Sequence, residues 1–231
     1  MEAKFGVFLG CFILSTGWNV VDAACSADLR TFDVSNMNLT MIDRLDSRDC
    51  LAASTVNLSL NFITSLYNDS LDLMWNIRIL DLSFNEIEEI PDDMFIPKRW
   101  LEHLNISHNL LETLPLDFFN NKQNLVTVDL SHNRISYIPL AVFRFKMVSI
   151  QVVDLQYNQL TAFEPWAYFG QAIRLLDLRY NNISTFTNDY NWTIEYRLVY
   201  DAVSSRTLCF CIHCSLIIIP ETKAKLTFYH T

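Results

Sequence analysis

An α/β-type solenoid of stacked repeats, built on short parallel strands, is the fold class that three observations in this 231-residue sequence predict. Asn61, Asn85, Asn109, Asn133, Asn158 and Asn181 recur at intervals of 24, 24, 24, 25 and 23 residues. Four columns of apolar residues keep step with them. Pro91, Pro115 and Pro139 then stand six residues after the asparagine, and Phe95, Phe119 and Phe143 ten after it, marking a return path that is mostly irregular or 3-10.

The apolar columns justify each repeat in turn. Five residues before the asparagine stand Val56, Leu80, Leu104, Val128, Val153 and Leu176, and three before it Leu58, Leu82, Ile106, Leu130, Leu155 and Leu178. Alternation with polar neighbours makes this pair a short strand with one buried face. Ile63, Ile87, Leu111, Ile135, Leu160 and Ile183 follow two after it, then Leu66, Ile90, Leu114, Ile138, Phe163 and Phe186 five after it. A first repeat fits the same frame through Phe32, Val34, Leu39 and Ile42, but with Met37 in the asparagine slot, so it reads as a cap. An asparagine amide both donates and accepts, so a buried stack of them can satisfy backbone groups between turns.

The ends differ from the middle. Residues 1–24 read as a secretory signal, with Lys4, an apolar run from Phe5 to Leu14 and small residues Ala23-Ala24 for cleavage. Residues 25–50 form the N-terminal cap with its first repeat, 51–193 the regular repeats, 194–205 a decayed repeat around Tyr200-Asp201-Ala202, and 206–231 an irregular tail carrying Cys209, Cys211 and Cys214. Leu208 to Ile219 is broken by His213 and stopped by Pro220, too short for a bilayer that needs about 20 apolar residues.

A net charge of -9 without a basic stripe argues against nucleic acid. No phosphate loop, metal-ligand spacing or recognisable nucleophile points to an enzyme, and no cofactor is expected. Cys25 and Cys50 fall in nearly the same slot of consecutive repeats, which would set them about 5 Å apart, so they are expected to be disulfide-bonded. The three tail cysteines leave one over, free or for a disulfide-linked partner.

Leu101-Glu102-His103-Leu104-Asn105-Ile106-Ser107-His108-Asn109-Leu110-Leu111, continued by Leu114-Pro115 and Phe119, closely resembles the motif of the extracellular leucine-rich repeat family, and the chain is similar to the ectodomains of Toll-like receptors. That resemblance implies a curved horseshoe segment with the parallel sheet on its concave face, and a secreted protein or a fragment of a longer cell-surface receptor. The family's C-terminal cap is incomplete here, since Cys209-Phe210-Cys211 is followed only by Cys214.

On the implied concave face three columns point outward. Asp33, Asn57, Asp81, Asn105, Asp129, Asp154 and Asp177 form an acidic stripe; Ser35, Ser59, Ser83, Ser107, Ser131, Gln156 and Arg179 run beside it. The third column becomes aromatic, and Phe84, His108, His132, Tyr157 and Tyr180 are the expected ligand-binding patch. His103 joins His108 and His132 in a trio read as solvated surface residues, with a metal or a pH response as the alternative. Lys98, Lys122 and Lys146 are expected to lay their stems over the convex core with the ammonium in water. Asn38, Asn57, Asn68, Asn105, Asn182 and Asn191 head glycosylation sequons.

The sequence therefore predicts a non-catalytic extracellular recognition module, Toll-like and innate-immune by resemblance, that binds a protein or a microbial or glycan ligand on its concave face. A structural matrix or adhesion protein is the alternative. No membrane insertion by this chain is expected.

Overall fold

The computed structural model describes residues 10–12, 22–25, 30–42, 52–67, 70–71, 74–92, 94–95, 98–116, 118–119, 122–138, 142, 149–163, 175–183, 185–186, 207–212 and 215–220. In chain order the N-terminal strands are β1 (Gly10–Phe12), β2 (Asp22–Cys25), β3 (Thr31–Asp33) and β4 (Met41–Ile42). The repeats contribute β5 (Thr55–Asn57), β6 (Ser65–Leu66), β7 (Ile79–Asp81), β8 (His103–Asn105), β9 (Thr127–Asp129), β10 (Val152–Asp154), β11 (Ala162–Phe163), β12 (Leu175–Asp177) and β13 (Thr185–Phe186). The tail adds β14 (Thr207–Ile212) and β15 (Ser215–Pro220).

One long sheet runs through the molecule in the order β1-β2-β3-β5-β7-β8-β9-β10-β12-β15-β14. From β3 to β12 its pairing is parallel, and the register joins equivalent residues of successive repeats: Phe32, Val56, Leu80, Leu104, Val128, Val153 and Leu176 stand side by side. A strand of three residues suffices because the next repeat, rather than a longer strand, supplies its partners. All the residues of the first three apolar columns are buried, as are Leu66, Ile90, Leu114 and Ile138 of the fourth, at about 1.5–3 kcal/mol for each large side chain. The fold is a parallel-strand solenoid, as the period predicts.

The return segments are held by single turns three residues wide, in which Met94 donates to the Pro91 carbonyl (3.2 Å), Lys98 to Phe95 (3.0 Å) and Phe118 to Pro115 (3.1 Å). Phe95, Phe118 and Phe119 pack edge to face beneath them. Lys98 and Lys122 depart from expectation. Neither lays its ammonium in water: both are buried, and Lys98 Nζ donates to the Leu71 carbonyl at 2.6 Å. A cation this deep is tolerated where backbone carbonyls of the neighbouring turn accept its protons. Lys146, Pro139 and Phe143 lie outside the described residues.

Both ends carry antiparallel additions. β2 pairs antiparallel with both β1 and β3, placing Cys25 opposite Phe32; Cys50, its expected disulfide partner, lies outside the described residues. At the other end the 206–231 tail is not wholly irregular. β14 and β15 form an antiparallel hairpin, and β15 pairs in parallel with β12, setting Ile217 beside Leu176. The expected decayed repeat around 200–202 lies outside the described residues. Leu216-Ile217-Ile218 is apolar, and its two β-branched isoleucines suit a strand beside Leu176.

Candidate functional site: a stacked ring ladder

The buried asparagines set the geometry of the exposed column. Asn109 Nδ2 donates to the carbonyls of Leu82 (2.9 Å), Ile106 (3.2 Å) and Ser107 (3.1 Å), while its Oδ1 accepts the Ile87 amide at 3.0 Å. Asn61, Asn85, Asn133, Asn158 and Asn181 repeat the Nδ2 pattern. Met37, in the same slot of the first repeat, is 41% exposed, and its amide is held by Asn61 Oδ1, as suits a cap.

To turn each asparagine inward, the residue before it adopts a left-handed backbone: φ is 54° at Phe84, His108 and His132, 53° at Tyr157 and 58° at Tyr180. Leu60 and Asn36 do the same at the N-terminal end. For a residue other than glycine this conformation costs about 1–2 kcal/mol. The rings offset part of it. Phe84 stacks on His108 (4.1 Å between centroids, 10°), His108 on His132 (4.1 Å, 10°), His132 on Tyr157 (4.2 Å, 15°) and Tyr157 on Tyr180 (4.1 Å, 11°). Aromatic pairs contribute about 0.5–1.5 kcal/mol each. The structure thus brings all five residues of the expected patch into one continuous ladder, with Phe84 48%, Tyr157 43% and Tyr180 53% exposed.

The two flanking columns behave differently from expectation. Asp33, Asp81, Asp129, Asp154 and Asp177, with Asn57 and Asn105, each use Oδ1 to accept the amide two residues later, at 2.9–3.1 Å. The stripe is therefore first a row of Asx turns that end the strands. Ser59, Ser83, Ser107 and Ser131 are buried rather than outward-facing, because that bond draws their backbone into the turn. Asp177 is buried as well and is paired with Arg179 at 2.7 Å.

Electrostatics vary along the ladder. Burial lowers the His108 pKa, the neighbouring His132 lowers it further, and Asp129 opposes both. Burial raises the Asp154 pKa, and its bonds from Gln156 oppose this, while Asp129 and Asp177 add to the rise. A hydrogen bond with Tyr180, then burial, raises the Tyr157 pKa. His103 does not join the other two histidines: its Nδ1 pairs with Thr127 Oγ1 at 2.7 Å. Among the described residues no group of three His, Cys, Asp or Glu could hold a metal, and no helix is long and apolar enough to cross a membrane. Trp75 and Trp100, exposed just ahead of β7 and β8, were not singled out by sequence because their spacing of 25 coincides with no motif position.

Residues 76–135 and 99–160 match the leucine rich repeat family model. Solved structures of similar fold include the LRIM1/APL1C complex (TM-score 0.60, 23% identity, 65% of this chain and 28% of that one) and the leucine-rich repeat domain of APL1B (0.61, 22%, 68% and 46%). The Toll–Spatzle complex, described as a hub in Drosophila development and innate immunity, is another (0.55, 23%, 68% and 25%). The chain spans less than half the length of each of these three, and at such identity the likeness is one of fold. No curated protein sequence matches it. The stretch from 76 to 160 thus matches leucine-rich repeats, and the LRIM1, APL1 and Toll structures are neighbours of the chain in fold.

Proposed function

We propose that this chain is a non-catalytic extracellular recognition module that binds a protein partner along the ring ladder. The observation that carries this reading is the stacking itself. His108, His132 and Tyr157 have both faces covered by neighbours at 4.1–4.2 Å, so a ligand meets ring edges, the imidazole nitrogens and the tyrosine hydroxyls. A sugar or a nucleobase is held chiefly by an open ring face. A protein surface, which brings side chains and carbonyls edge-on over several strands, fits such a row better. The fold's likeness to proteins solved as LRIM1/APL1C and Toll–Spatzle complexes supports a protein partner, and the signal-like 1–24 segment supports secretion. Enzymatic action finds no support in carboxylates each engaged in a turn.

The test is binding of fractionated extracellular proteins to the immobilised full chain. Tyr157→Ala with Tyr180→Ala should weaken binding by roughly tenfold or more, the loss of one hot spot, whereas Trp75→Ala with Trp100→Ala should leave it within about twofold. Equal losses from both pairs, or binding to free oligosaccharides that survives loss of the tyrosines, would overturn the reading.

A further inference from the structure

We infer that Asn57 and Asn105 carry N-linked glycans that stand on the concave face itself, beside the N-terminal half of the ladder. In this column the duty common to every repeat is to present Oδ1 to the amide two residues on, and at Asn57 the same Oδ1 also accepts the Ser59 hydroxyl. Asp81, Asp129 and Asp154 perform it with a carboxylate. Asn57 and Asn105 perform it with the carboxamide oxygen, at 3.1 Å to Ser59 N and 3.0 Å to Ser107 N. With Oδ1 fixed on the turn, the amide plane is set and Nδ2 is the atom left over. Among the described residues neither Nδ2 donates a hydrogen bond, in contrast to the buried asparagines of the next column, whose Nδ2 atoms each hold carbonyls of two repeats. Both residues are only half-buried, and each is followed at the required spacing by a serine.

The chemistry is compatible with the turn. Nδ2 attacks C1 of an oligosaccharide carried on a lipid diphosphate. The Nδ2–C1 bond forms, the C1–O bond to the diphosphate breaks, and the amide proton is lost as the lipid diphosphate leaves. Oδ1 remains an acceptor throughout, so a glycosylated Asn57 or Asn105 keeps the Asx turn. Glycans there rise from β5 and β8, in the turns of Leu60 and His108, whereas β9, β10 and β12, which precede His132, Tyr157 and Tyr180, carry aspartate. The open stretch of the ladder is then its C-terminal half. This rests on the proposed function only in requiring passage through a secretory pathway.

The full chain secreted from eukaryotic cells, deglycosylated enzymatically in heavy-oxygen water, should yield labelled aspartate at positions 57 and 105. The Asn57→Asp/Asn105→Asp variant, which uses the residue the fold itself places in neighbouring repeats, should be secreted as a folded chain and should lose two glycans in mass. Unlabelled asparagine at both positions in a secreted chain that is labelled at Asn182 would overturn the inference and leave the recognition reading intact. A chain retained in the cell and labelled nowhere would overturn both.

Discussion

Asn109 is the residue on which local geometry turns, since four hydrogen bonds join it to the turns on either side. Asn109→Ala leaves those backbone groups unsatisfied in a buried site and should cost about 1–3 kcal/mol in chemical denaturation; an unchanged midpoint would show that water replaces the amide. Asp154 makes the opposite prediction. Its folded pKa is raised, so the stability it contributes is fully present below its unfolded value of 3.8 and is lost as pH rises through the folded value. Asp154→Asn keeps an acceptor for the Gln156 amide, as Asn57 and Asn105 do in their own repeats, and should raise the melting temperature at pH 7 but not at pH 3. At this scale the sequence showed which residues recur without showing what holds them. The Asn109 column was legible because its pattern demands burial. The Asp column reads as an exposed acidic stripe because a carboxylate on a strand is expected to face water, and the bond to the amide two residues on has no signature beyond the spacing that motif and turn share.

At the scale of the element, the strands and their parallel order were legible from period alone, and the return path was not. Lys98 and Lys122 recur at the repeat spacing, which sequence alone renders as solvated ammonium groups; the packing of the turns above Phe95 and Phe119 buries them instead. Burial, then the neighbouring Lys98, push Lys122 down to about 8 from 10.5. An amine of lowered folded pKa withholds stability below that value and returns it as pH climbs from about 8 towards 10.5. Lys122→Met should therefore gain on the native chain at pH 7 and lose that advantage by pH 10, read from urea midpoints at both. An advantage that grows with pH would mean that the folded pKa is raised rather than lowered. The tail hairpin was equally hidden. Its Ile-rich strand has no repeat frame, and only the need to cover the last repeat at Leu176 gives it a place.

For the whole molecule, the repeats convert one left-handed residue per turn into a surface. A single Tyr157 with φ of 53° is a local cost; seven repeats in register align five such residues into a ladder whose rings support one another. The sequence named the five rings, but their stacking, which decides that edges rather than faces are offered, follows from a backbone conformation that no single repeat announces. The most direct test of the ladder as the recognition surface is site-specific photo-crosslinking on the secreted full chain. A photoreactive phenylalanine analogue in place of Tyr180 should give one discrete adduct with an extracellular protein, and the same analogue in place of Trp100 should give none. Adducts of the same protein from both positions, or from Trp100 alone, would contradict the account.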